Sequence, residues 1–281
     1  MRTSLFTAFA LAAFAANSLL CRLALGGNAI DAASYTAVRM ATGAAALLVL
    51  TLVLRRGQGL LSKGSWLSAL ALLLYAVPFS LAYRTIPAGA GALILFGSVQ
   101  ATMIGSALVA GERPDVLQWT GLVLALAGLG YLVRPGAAAP ALGGSALMAA
   151  AGASWGIYSL RGRRSRDPLA ETAANFLRAA PVAAAIGLAA LGSAHAQPRG
   201  LVLASVSGAL ASGVGYAAWY RALPGLTATR AAGVQLAVPV LAAAGAVAWL
   251  GERVTPRLVL ASAVILGGVA LAVAGRRRMA A

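Results

Sequence analysis

Long apolar runs alternate with short polar clusters along the whole chain. Cutting at the charged clusters and at Pro/Gly breaks leaves ten apolar segments, at about 4–25, 33–54, 65–83, 88–110, 115–133, 143–161, 170–191, 200–220, 227–250 and 256–274. Each approaches the roughly 17–25 residues that a helix needs to cross a hydrocarbon core of about 30 Å. The second, seventh and ninth each contain an Arg, so they are assigned from their length and neighbours. Runs such as Leu241 to Leu250 show no alternation of period two, against the pattern of barrel strands. Lipid cannot satisfy an open backbone, which leaves helices. The pattern predicts an all-α integral membrane protein of ten transmembrane helices with short connections. Met1-Arg2-Thr3-Ser4 and the apolar stretch after it resemble a signal peptide. The run continues to about Leu25 without a clear Ala-x-Ala cleavage pattern, so it reads as an uncleaved first span.

The chain also repeats itself. Tyr83-Arg84-Thr85-Ile86-Pro87 is echoed by Tyr220-Arg221-Ala222-Leu223-Pro224, Gly111-Glu112-Arg113 by Gly251-Glu252-Arg253, and Arg39 by Arg178. The three echoes keep their order and their places relative to the spans. They divide the chain into halves, 1–135 and 141–281, of five spans each. Five is odd, so the halves enter the membrane in opposite senses. Inverted repeats of this kind build transporters in which one bundle rocks against the other around a site near the midplane. An ancient duplication in a static membrane protein would leave the same trace.

Composition sharpens the picture. Hydrophobic residues make up 60% and charged residues 10% of the chain, against about 25% charged in soluble domains, and the mean hydropathy is +0.85. The net charge of +16 sits between apolar runs and not on one basic face, which argues against nucleic acid and for lipid headgroups as the partner. With the N-terminus placed in the cytoplasm, thirteen basic residues fall on that side, including the clusters at 161–166 and 276–278, and six on the other. This bias predicts an inner-membrane protein with both termini cytoplasmic.

These features resemble the drug/metabolite transporter superfamily in its EamA branch. The likeness rests on ten spans in two halves and on Gly-Glu-Arg after the fourth and ninth spans. The Tyr-Arg-x-x-Pro turns, an Arg in the second span of each half, and Pro239 within the ninth span add to it. The fourth span departs from the pattern, with Ser98-Val99-Gln100 where the ninth has Val238-Pro239-Val240. Within the superfamily the layout is most similar to YddG-type amino-acid exporters. The resemblance implies export of amino acids or related metabolites through a central cavity lined by spans 1–4 and 6–9, with 5 and 10 peripheral.

Chemistry narrows the function further. His195 is the one histidine, and the acids Asp31, Glu112, Asp115, Asp167, Glu171 and Glu252 all fall in loops or near span ends. No paired carboxylate, metal cluster or nucleophile–base pair is in view, so no enzyme, cofactor or metal is expected. No acid lies at mid-span to relay protons, which favours facilitated diffusion or exchange. A proton-coupled multidrug or other-metabolite exporter, or a channel or scramblase, is the alternative. Candidate substrate-binding residues are Asn17, Arg39, Tyr75, Tyr83, Gln100, Trp155, Tyr158, Arg178, Tyr216 and Gln235. Arg39 and Arg178 read either as clamps for an anionic group or as structural residues that snorkel or cap a helix. Arg230 reads as a snorkelling residue. The polar and aromatic candidates read either as cavity wall or as interhelical packing. Trp66, Trp119 and Trp249 lie near span ends, as an interfacial belt does. Small residues Gly121, Ala125 and Gly128 in span 5, and Ala263, Gly267 and Gly268 in span 10, suit close helix packing, within a monomer or at a homodimer face.

Overall fold

Polar punctuation sets the helix ends. Asp31, Ser65, Asp115 and Asp167 each accept a hydrogen bond from the first turn of the helix that follows, and Gln118 completes a capping box with Asp115. Gly251 closes a helix in the left-handed conformation, at φ 65°.

The computed structural model describes residues 2–54, 59–109, 111, 115–136, 138–163, 165–226 and 228–279, except the side chains of 2, 61, 228–230, 232 and 275–279. Glu112 and Arg113 of the first Gly-Glu-Arg therefore lie outside the described residues, as do Arg55, Arg56, Arg164 and the side chains of Arg2, Arg230, Arg276, Arg277 and Arg278. The helices are α1 (Arg2–Gly26), α2 (Ala32–Val53), α3 (Trp66–Ala82), α4 (Ala88–Val109), α5 (Val116–Val133), α6 (Leu142–Gly162) and α7 (Pro168–Ala189). Then come α8 (Pro198–Val206), α9 (Gly215–Ala222), α10 (Ala228–Gln235), α11 (Ala237–Leu250) and α12 (Pro256–Met279).

Among the described residues ten rods result, in the order the apolar runs predict. The eighth is continuous but not uniform: a π-helix, Ser207–Val214, joins α8 to α9. The ninth is broken at Leu236 between α10 and α11. Pro239 explains the break, because its ring and missing N–H disrupt the bond to the carbonyl of Gln235. The fourth lacks such a proline and stays whole as α4. Among the described residues eight helices are, by length and composition, long and apolar enough to cross a membrane, and α3 is a shorter apolar helix. Among the described residues the isolated extended pairing is one antiparallel bridge, Ile30 to Ala196.

The helices pack in a pattern that survives exchange of the halves. Three pairs map onto themselves: α2 with α7, α4 with α11, and α5 with α12. The contact of α3 with α6 is matched by that of α1 with the α8–α9 rod, and α4 with α6 by α11 with α1. This is the packing that two five-rod halves of opposite sense produce. The pair α5 and α12 packs chiefly on itself, with α4 and α10 beside it. Its seam is backbone against backbone. A Cβ on Gly121 would collide with the Gly268 carbonyl and the Ala272 amide, and one on Gly268 would meet Ala125 and Gly121. Ala263 and Gly267 face outward instead. Large apolar side chains also face outward, among them Leu5, Leu70 and Val123, as lipid contact requires. Trp66, Trp119 and Trp249 are exposed at helix ends.

Candidate functional site

At the centre of the bundle a chain of polar side chains crosses between the halves. Ser207 Oγ donates to Asn17 Oδ1 at 2.6 Å, and Asn17 Nδ2 donates to the Tyr75 hydroxyl at 3.0 Å. Arg39 Nη2 donates to the same hydroxyl at 2.9 Å, and Arg39 Nε donates to Ser212 Oγ at 3.2 Å. The chain thus leaves the π-helix at Ser207, passes through α1, α3 and α2, and returns to the π-helix at Ser212. All five residues are buried. The π-turn makes this closure possible. Its i to i+5 bonding brings residues five apart near one face, whereas an α-helix would turn Ser207 and Ser212 well away from each other.

Arg39 is the charged member of the ring, and its side chain is fully buried. Its guanidinium lies 4.9 Å from the Phe79 ring centroid and 5.1 Å from that of Tyr75. Nη1 makes no hydrogen bond, and among the described residues no carboxylate pairs with Arg39. An intramembrane Arg costs about 2.5–3.5 kcal/mol on insertion scales. Here hydroxyls and π faces offset that cost without neutralising the charge.

An aromatic cluster borders the ring. Trp155 touches Tyr75 (5.0 Å between centroids), Tyr216 (4.9 Å), Tyr158 (5.4 Å) and Phe14 (6.5 Å). Phe176 and Trp219 extend it. Polar hydroxyls and apolar ring faces therefore meet at one place, the composition of a small-molecule site.

Contacts between the halves bind both ends of the bundle. At one face, Asp31 Oδ2 accepts the backbone N–H of His195 at 3.1 Å, and the Asp31 N–H donates to the His195 carbonyl at 3.0 Å. Burial opposes ionisation of Asp31, but hydrogen bonds from Ser34, His195 and Ala33 outweigh it and hold the carboxyl below its ordinary range. At the same face both Glu252 oxygens accept the Ala88 N–H at 2.9 Å, and Arg22 Nε lies 3.4 Å from Glu252. At the opposite face Lys63 pairs with Asp167 at 2.8 Å, and Arg161 donates to Ser68 and Ser65. A small cleft opens there between Tyr158, Arg161, Glu171, Thr172 and Tyr220.

The predicted residues divide accordingly. Asn17, Arg39, Tyr75, Trp155 and Tyr216 meet at the centre, and Tyr158 links the cluster to the cleft through Thr172. Gln100 is buried in α4 without a hydrogen bond among the described residues. Tyr83 ends α3, its ring edge-on to Phe79 at 4.8 Å. Arg178 lies apart, donating to the carbonyls of Lys63 at 2.7 Å and Ala174 at 3.1 Å. Gln235 ends α10 at the break. Ser207, Ser212, Phe14 and Phe79 belong to the centre although the sequence alone does not single them out. Among the described residues no His, Cys, Asp or Glu cluster could hold a metal.

Comparison with known proteins agrees with this architecture. The model of the EamA-like transporter family matches twice, at residues 1–134 and 142–274. An uncharacterized protein of Pseudomonas aeruginosa is 52% identical over 280 residues, covering 100% of this chain and 97% of that one. The threonine/homoserine exporter RhtA of Escherichia coli K12 is 34% identical over 197 residues, which span 67% of this chain and 63% of the exporter. A crystal structure 21% identical in sequence shares the fold, with a TM-score of 0.68 over 98% of both chains.

Proposed function

This chain belongs to the EamA-like transporter family, and on that premise we propose that it exports amino acids or related small metabolites across the inner membrane by alternating access. The observation that carries the reading is the central ring. Asn17, Arg39 and Tyr75 of one half meet Ser207 and Ser212 of the other at the centre of the bundle. A solute that exchanges its own polar groups for these bonds loosens one half from the other, which is the coupling that alternating access requires. Trp155, Tyr158 and Tyr216 form the wall of the solute's path, with Gln100 beside it. Tyr83, Arg178 and Gln235 act nearer the ends, where the halves 1–135 and 141–281 part and close. The similarity to a threonine/homoserine exporter supports the substrate class. The excess of basic residues supports cytoplasmic termini.

Transport is facilitative or by exchange. The described acids Asp31, Asp115, Asp167, Glu171 and Glu252 all stand at helix ends or in connections, and a proton relay needs a carboxylate or imidazole within the membrane. One observation favours a second reading: Glu171 lines the cleft with Tyr158 and Tyr220, a position from which it could couple proton entry to solute movement.

Flux into proteoliposomes decides between them. The test uses labelled amino acids, L-threonine and L-homoserine first, with and without a pH gradient and with and without unlabelled solute inside. Saturable uptake stimulated from the far side and indifferent to the gradient is expected. Uptake that requires the gradient transfers the reading to Glu171. Flux without saturation indicates a channel, and no flux of any amino acid removes the substrate class.

A further inference from the structure

Arg39 holds a positive charge at the middle of the bundle in an arrangement that its own neighbours leave incomplete. Its side chain has 0% exposure, so it does not snorkel to headgroups. Nε and Nη2 are spent on Ser212 and Tyr75, both neutral hydroxyls. Phe79 and Tyr75 cover it with their rings. Nη1, equally buried, donates to nothing, and no described carboxylate neutralises the group. A buried donor without an acceptor is costly, and a charged one more so. An arginine serving only to tie helices together is stabilised by an internal acid or by backbone carbonyls. Arg178 shows that second arrangement in the same molecule, with two carbonyls as acceptors. Arg39 has neither.

We infer that Arg39 holds the carboxylate of the transported solute on its free Nη1, so that a carboxylate, and not an amino group, is what the central site demands of its substrate. A planar carboxylate suits the guanidinium fork and supplies the missing charge-assisted bond. Among the described residues no carboxylate waits for an ammonium group, which would find only the weaker cation–π contact of the ring cluster. The groups around Arg39 are the hydroxyls of Tyr75 and Ser212, the Asn17 amide bonded to the same Tyr75 hydroxyl, and the rings of Tyr75 and Phe79. These accept a hydroxyl in the same place at modest loss. The substrate class is therefore 2-substituted monocarboxylates, amino acids among them. This inference rests on the central ring being the solute site, as proposed above.

The test measures equilibrium binding and does not depend on flux. Purified wild-type protein in detergent is titrated with L-threonine and L-homoserine, with their amides, with their 2-hydroxy acid analogues and with potassium chloride, and the thermal midpoint is followed. The amino acids and hydroxy acids should bind within about fivefold of each other, and the amides at least tenfold more weakly. Arg39→Lys, which keeps the charge but loses the fork, should weaken the carboxylates at least tenfold. The ligand series runs on wild-type protein, so its outcome holds whether or not an Arg39 variant folds. Amides as effective as the acids, chloride as effective as the carboxylates, or no response to any carboxylate would overturn the inference. Saturable threonine flux with equal competition by the amide would leave the exporter standing and remove Arg39 from it. Carboxylate binding without flux would do the reverse.

Discussion

Glu252 grips the backbone N–H of Ala88, 164 positions earlier in the chain, with both carboxylate oxygens at 2.9 Å. The acid of the second Gly-Glu-Arg thus caps a helix of the other half, and Arg22 stands beside it. A carboxylate at a helix N-terminus both satisfies an orphan donor and meets the positive end of the helix dipole. Glu252→Ala should therefore lower unfolding stability in detergent by about 1 kcal/mol. Arg22→Ala removes the partly exposed ion pair, worth about 0–1 kcal/mol, together with the hydrogen bonds to the Tyr83 and Arg84 carbonyls, and should cost at least as much. Thermal unfolding of both variants checks the order.

Tyr75 is the residue on which the central ring turns, since its hydroxyl accepts from both Asn17 and Arg39. Tyr75→Phe removes one oxygen and strands two buried donors. The expected loss is about 1–3 kcal/mol for each donor left unsatisfied, read as a fall in the thermal midpoint, and transport should fall with it.

Trp155 presents a different case, because its ring packs against four other rings and makes none of the hydrogen bonds of the central ring. Trp155→Ala should change the order of preference among amino acids in competition assays while expression stays intact. An unchanged order would remove Trp155 from the solute's path.

The glycines of α12 make a paired prediction. Gly268→Leu forces a side chain into the backbone of α5, and overpacking of this kind costs about 1–3 kcal/mol or more. At Gly267, one position away, an added Cβ meets no atom within 4 Å, so Gly267→Leu should be tolerated. The yield of monodisperse protein from each separates them, and a well-folded Gly268→Leu would contradict the packing.

Asp31 predicts a pH dependence. Its folded pKa lies below the ordinary 3.8, so the stability it contributes is fully present above the unfolded value and is lost as pH falls through the folded one. Asp31→Asn should be less stable than wild type at neutral pH, and the gap should narrow below about pH 4. Thermal midpoints of the two proteins, compared from neutral pH down through that range, check the narrowing.

The ten rods were legible because each is bracketed by charge or by Pro and Gly, and lipid permits little else between such brackets. The break near Pro239 and the intact α4 were legible for the same local reason. Partners were harder to read. Arg39 and Arg178 stand at matching places in the repeat, yet one is sealed among hydroxyls and rings while the other is tied to the carbonyl of Lys63. Repeat spacing fixes a residue's position along a helix and says nothing of what faces it. The π-helix left no trace in Ser207-Gly208-Ala209-Leu210-Ala211-Ser212-Gly213-Val214, whose small residues suit an α-helix as well. A period of 3.6 places Ser207 and Ser212 on different faces, which hides the ring they share. The one available signal is a pair of hydroxyls inside an apolar span.

The seam between α5 and α12 has a mechanical consequence. Side chains can slide past one another by changing rotamer, but Gly121 and Gly268 bring backbone against backbone, where a small translation meets hard atoms. In the alternating access proposed above, movement of one half against the other would leave this seam in register and swing about it. The seam would then be a fulcrum, with residues far from it travelling furthest. Gly121 and Gly268 would set the lever's axis from outside the central ring.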